Sequence, residues 1–207
     1  MFKRFFANVI KPTGLGGRIM VQRMNRHHES LARWGRSFLD IQPNHALLDL
    51  GCGGGRNVQY FLTRASRVYG LDYSPTSVAA SRQLNQKAIR AGRCQIIEGN
   101  VRQLPFADGS MDIVTAFETI YFWEDIAACF EEVHRVLADG GQFLICNEAA
   151  HRDSETIKKW ADMLGFEVYD PQTLTALLTP IGFSCDYELD YKDQLSFLAK
   201  KEPTKPL

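Results

Sequence analysis

Leu47-Leu48-Asp49-Leu50-Gly51-Cys52-Gly53-Gly54-Gly55, followed by Asp72 about twenty residues on, is the stretch that decides the fold. An apolar run that ends in a glycine-rich turn and opens a helix lets the backbone approach a bound nucleoside. A carboxylate at that spacing falls at the end of the next strand, where it can accept from both ribose hydroxyls. Outward from this run, Arg67–Leu71, Cys94–Glu98, Met111–Phe117 and Gln142–Asn147 read, like Ala46–Leu50, as buried parallel strands. Helices fit after Gly55, after Pro75 and over Trp123–Leu137, the last stopped by Asp139-Gly140-Gly141, while Leu104-Pro105-Phe106 reads as a loop.

Further on, Ser154–Leu164 and Pro171–Ile181 look helical, and Phe183–Asp190 with Gln194–Lys200 suits an antiparallel pair. Alternating strands and helices give an α/β fold: a Rossmann-like, doubly wound, mostly parallel seven-stranded sheet with a C-terminal antiparallel strand. Before it, Met20, Met24, Leu31, Trp34 and Phe38 recur at helical steps between Gly17 and Leu39, an amphipathic N-terminal helix. The expected division is a helical cap over residues 1–40, one nucleoside-binding domain over 41–201, and a frayed tail over 202–207.

Composition removes several function classes. Twenty-four basic residues balance twenty-four acidic ones, so the charge excess of a dedicated nucleic-acid binder is missing. Five scattered cysteines form no CxxC pair, which suggests neither a zinc site nor a disulfide framework and fits reduced cytoplasmic thiols; no metal is expected. The start, MFKRFFANVIKP, has an apolar stretch too short for a signal-peptide core, and no run has the length to cross a bilayer. Stable membrane association is therefore not expected. Nothing in the sequence fixes the oligomeric state.

The glycine turn alone suits several nucleoside cofactors, and two details separate them. The dinucleotide fingerprint G-x-G-x-x-G fails in both frames, since its last glycine would be Arg56 or Val58. The segment Glu98–Asp112, reading EGNVRQLPFADGSMD, puts a polar side chain and a turn at the sheet edge where an adenine would lie. DLGCGGG, GLDYS, GNVRQLPFADGSMDIV and FEEVHRVLADGGQF, in this order over residues 46–147, resemble the class I S-adenosylmethionine-dependent methyltransferases, most of all their methyltransferase-11-type small-molecule branch.

That resemblance implies S-adenosyl-L-methionine as cofactor, with a small-molecule acceptor. Within it, Asp49, Gly51 and Gly53 would line the methionine and ribose part, Asp72 would bind the ribose hydroxyls, and Tyr73 would lie against the adenine. Asn100 stands where the family commonly has aspartate; its side-chain carbonyl can accept from the adenine N6, and the Val101 N–H can donate to N1. Phe117 would offer its backbone carbonyl to the cofactor amino group, and Arg56 could reach its carboxylate. A non-catalytic binder on the same fold and a nicotinamide-dependent oxidoreductase remain the rival readings.

A sulfonium already activates the methyl group, so no obligatory nucleophile is expected; the protein has to align acceptor, methyl carbon and sulfur and keep water out. Cytosine C5 chemistry would need a Pro-Cys pair, and exocyclic-amine chemistry on DNA an Asn/Asp-Pro-Pro-aromatic motif where this chain has Ala116-Phe117-Glu118-Thr119. Glu118 and Glu148, just past the fourth and fifth strands, should be neighbours, and each could serve as base, hold a cationic acceptor or simply accept backbone N–H groups. His27 falls within the apolar stripe of the N-terminal helix and His28 on its flank. Either can be a core histidine or an acceptor-site residue. Tyr121, Trp123 and, on the helix after the fifth strand, Trp160 are candidates for the wall of the acceptor pocket, with core packing as the alternative.

Overall fold

The computed structural model describes residues 28–155 and 157–203. Of the sequence expectations, His27, the first part of the N-terminal helix and the last residues of the tail lie outside this range. Seven strands, β1 (Ala46–Leu50), β2 (Arg67–Asp72), β3 (Cys94–Glu98), β4 (Met111–Phe117), β5 (Leu137–Asn147), β6 (Phe183–Leu189) and β7 (Leu195–Lys201), form one sheet in the order β3-β2-β1-β4-β5-β7-β6. β7 alone runs against its neighbours. The doubly wound sheet with a C-terminal antiparallel strand is thus the fold the sequence led us to expect.

β1 is buried along its whole length, and its side chains divide between two cores. Leu48 and Leu50 join Val114, Phe143 and Phe197 on one face, while Leu47 joins Val58, Phe61 and Ile113 on the other. This double burial is why the strand reads as an unbroken apolar run. The helices are α1 (Glu29–Arg36), α2 (Arg56–Phe61), α3 (Pro75–Leu84), α4 (Gln86–Arg90), α5 (Ile126–Val136), α6 (Lys158–Leu164) and α7 (Pro171–Leu178). Ser74 caps α3, its hydroxyl accepting from the Ser77 N–H at 3.3 Å, and Pro75 follows at the first helical position.

Three elements differ from the sequence expectation. Asn85 divides the second helix, donating from its side chain to the carbonyls of Ser81 and Gly55, so α3 and the short α4 replace one longer helix. The helix expected up to Leu137 ends at Val136, and Asp139-Gly140-Gly141 lie inside β5. There Gly140 takes φ +75° and the pairing with β4 shifts register, a bulge that the glycine makes possible. Within the described residues, the N-terminal helix is the short α1, ending at Arg36. It lies close on the sheet: a Cβ on Gly35 would stand 2.5 Å from the Cys146 Sγ and 3.2 Å from the Phe117 ring.

Candidate functional site

The carboxyl ends of β1 and β2 build the first half of the site. Gly51, Gly53 and Gly55 all have positive φ, the conformation that admits glycine at no steric cost. Asp72, ending β2, is buried, and its two oxygens accept from the Gly53 N–H at 2.9 Å and the Ser74 N–H at 2.8 Å. Each oxygen keeps a second lone pair for a further donor. Burial raises the Asp72 pKa, and the two backbone bonds counter it. Around Gly53 there is open space: a Cβ there would meet nothing nearer than the Gly51 carbonyl oxygen at 3.9 Å. A glycine cradle beside a positioned carboxylate fits the ribose and methionine end of a nucleoside cofactor.

Asp49 is buried in the middle of β1 and accepts from the Thr115 Oγ1 at 2.7 Å. Burial pushes its pKa up to about 7, against the pull of Thr115 and Arg36. On the adenine side, Tyr73 is exposed and Val101 buried, and Asn100 accepts the Arg102 N–H at 2.9 Å, closing its own turn. That bond uses one of the two lone pairs the Asn100 carbonyl has. The loop that follows is held from behind by Arg135, which donates to the Leu104 carbonyl at 3.0 Å and to the Phe106 carbonyl at 2.8 Å, and pairs with Glu132 and Asp108. Arg56 is exposed at the start of α2.

The second half lies past the ends of β4 and β5. Phe117 is the last residue of β4, one beyond the point where β1 stops pairing with it. Glu118 then takes φ +56°, a left-handed conformation that costs a non-glycine residue about 1 kcal/mol. Its N–H donates to the Cys146 carbonyl, and its Oε1 accepts the Glu148 N–H at very close range. Burial and the neighbouring Glu148 raise the Glu118 pKa well above the carboxylate range. Opposite, His28 at the start of α1 places its Nε2 3.7 Å from the Glu148 Oε1. Glu118 and Glu148, expected to be neighbours, meet here, and His28 joins them. Thr119, next to Glu118, fills the space a Cβ on Gly51 would need, so the two halves of the site are in van der Waals contact.

The aromatic candidates separate. Tyr121 is buried against the Phe122 and Phe166 rings, while its hydroxyl lies 3.5 Å from the Glu118 Oε1, at the edge of the acidic pair. Trp123 stacks on Phe143 and meets Phe130 edge-on against the main core, the packing alternative, its indole N–H donating to the Thr119 Oγ1. Trp160 stands 38% exposed on α6, whose Ala161 faces inward. Sequence reading missed Gly35, Arg135 and the Asp49–Thr115 bond. The first two act through contacts with distant segments, and only their residue type hinted at them.

Comparison with known proteins places these observations. A family model described as a methyltransferase domain matches residues 48–145. Cycloartenol-C-24-methyltransferase 1 of Oryza sativa is 28% identical over 130 residues, which is 62% of this chain and 37% of that protein. O-methyltransferase resE of Aspergillus sclerotiorum is 28% identical over 174 residues, 79% of this chain and 65% of its own length. The chain thus spans between about a third and two thirds of these two relatives. Among solved structures, a chain of the complex between the Haloferax volcanii Trm112 methyltransferase activator and a methyltransferase superposes with a TM-score of 0.79 at 18% identity, covering 89% of this chain and 94% of that one. A likeness at that identity establishes the fold.

Proposed function

We propose that this chain, which belongs to the class I S-adenosylmethionine-dependent methyltransferases, transfers the cofactor's methyl group to a small-molecule acceptor at the carboxyl ends of β4 and β5. The observation that carries this reading is the Asp72 carboxylate fixed by the Gly53 and Ser74 N–H groups beside an open glycine cradle. Bound there, the cofactor supplies an electrophilic methyl group on its sulfonium. Asp72 accepts from the ribose hydroxyls, Gly51 and Gly53 let the backbone come close, and Asp49 supports the turn from beneath. Tyr73, Asn100 and Val101 border the adenine, Phe117 offers its carbonyl to the amino group, and Arg56, exposed at the start of α2, is the candidate partner of the cofactor carboxylate. His28, Glu118, Glu148 and the Tyr121 hydroxyl frame the acceptor, which they hold in line with the methyl carbon. His27 remains a candidate of the same kind on the sequence alone.

The name of one relative, a cycloartenol C-24-methyltransferase, supports a small acceptor. Equal numbers of acidic and basic residues, with no basic excess to follow a phosphate backbone, point the same way. Calorimetry with S-adenosylmethionine, its demethylated product and NAD tests the reading. We expect the two methionine-derived ligands to bind and NAD not to; binding of NAD alone would overturn it. Transfer of labelled methyl to a panel of small hydroxylated and amine acceptors then separates an enzyme from a binder.

A further inference from the structure

We propose that His28, Glu118 and Glu148 bind a divalent first-row transition-metal ion, and that this ion holds an oxygen of the acceptor. One ligand atom from each residue, an imidazole nitrogen and two carboxylate oxygens, lies within 4.8 Å of the others. The three come from separate elements, the start of α1 and the ends of β4 and β5, so the sheet and its packed helix bring them together. The His28 Nε2 to Glu148 Oε1 separation of 3.7 Å is too long for a hydrogen bond between these atoms. It is close to the edge of a coordination sphere: an ion about 2.1 Å from each ligand holds neighbouring ligands about 3 to 3.5 Å apart.

Charge argues in the same direction. Glu118 and Glu148 stand side by side in a partly enclosed site, with Tyr121 as the hydroxyl beside them. A cation held between the three groups would attract both carboxylates and the imidazole lone pair together. One nitrogen with two oxygens suits zinc or manganese, whereas magnesium and calcium favour all-oxygen shells. Three protein ligands leave coordination positions open for a second molecule. The other histidine–carboxylate pair among the described residues, His151 with Asp193 at 2.8 Å, is shared with the Ser154 hydroxyl and forms a clasp between two loops.

Resting on the methyltransferase reading, this assignment narrows the acceptor to one that presents a hydroxyl or carboxylate oxygen. A hydroxyl bound to the ion gives its proton to solvent more readily. The oxygen lone pair then forms the bond to the methyl carbon as the carbon–sulfur bond breaks, and that electron pair stays on sulfur.

Titration calorimetry of the full chain, freed of metal with a chelator, tests the proposal with zinc, manganese and magnesium chlorides. We expect one equivalent of zinc or manganese to bind tighter than about 10 µM and magnesium more weakly. Glu148→Gln, Glu118→Gln and His28→Ala should each weaken that binding at least about tenfold, and His151→Ala should leave it unchanged. Binding of the demethylated cofactor to the same variants reports that they are folded. Zinc and manganese both weaker than this limit, or undiminished binding in Glu148→Gln and His28→Ala, would overturn the metal site. Failure of the wild-type chain to bind the cofactor overturns the methyltransferase reading instead, so the two results are distinct.

Discussion

Asp72 and Gly51 carry unequal burdens within the same turn. Asp72→Ala removes the acceptor of two backbone N–H groups together with the partner proposed for both ribose hydroxyls. Each charge-assisted hydrogen bond contributes about 1.5–3 kcal/mol, so calorimetry should record a loss of cofactor affinity of about a hundredfold or more. Gly51→Ala meets a different obstacle. Its φ of +66° disfavours any side chain, and the added methyl collides with the Thr119 side chain. Together these should lower stability by about 2–4 kcal/mol in denaturant unfolding. Both positions are legible in the sequence, because a glycine turn and a carboxylate at fixed spacing follow from nucleoside geometry. Thr119 was not, since its role depends on β1 and β4 being neighbours in space.

Elements make the remainder of the site. α1 reaches the sheet only because Gly35 lets it lie against Cys146 and Phe117. Gly35→Ala should therefore lift the helix and lower stability by about 1–3 kcal/mol, with partial recovery in the double variant with Cys146→Ala. A thermal-unfolding cycle over the four proteins measures this, and no recovery would assign the cost to the helix itself. Arg135 plays a corresponding part for the loop after β3. Arg135→Ala releases the carbonyls of Leu104 and Phe106 and should speed amide exchange across residues 104–108, at a cost of about 1–2 kcal/mol. The parallel strands, the terminal antiparallel pair and the meeting of Glu118 with Glu148 could be expected from periodicity and the doubly wound fold. Trp123 could not be placed, because an aromatic before a helix serves core and pocket equally well until Phe143 is known to lie beneath it. Helix ends also escaped, with the bulge at Gly140 absorbing a signal that reads as a stop.

Across the whole molecule, the buried carboxylates beneath the turn should tie stability to pH. Asp49 has a folded-state pKa of about 7, above its ordinary 3.8, and Asp72 is raised too. A raised carboxyl favours the folded state most while both states are protonated, below the ordinary value. That advantage is lost as pH rises toward and through the folded value. The cofactor-free chain should thus lose melting temperature between about pH 4 and pH 8, and Asp49→Asn, which can still accept from Thr115, should flatten the slope. A slope unchanged in Asp49→Asn would assign it to other groups. The contact of Gly51 with Thr119 has one more consequence. Because the turn that would hold the methyl donor abuts the residue next to Glu118, the span from donor to acceptor carboxylates is set by hard-sphere contact. The molecule then acts as a gauge: acceptors one methylene longer or shorter between anchor and nucleophile should differ chiefly in kcat, with KM little changed.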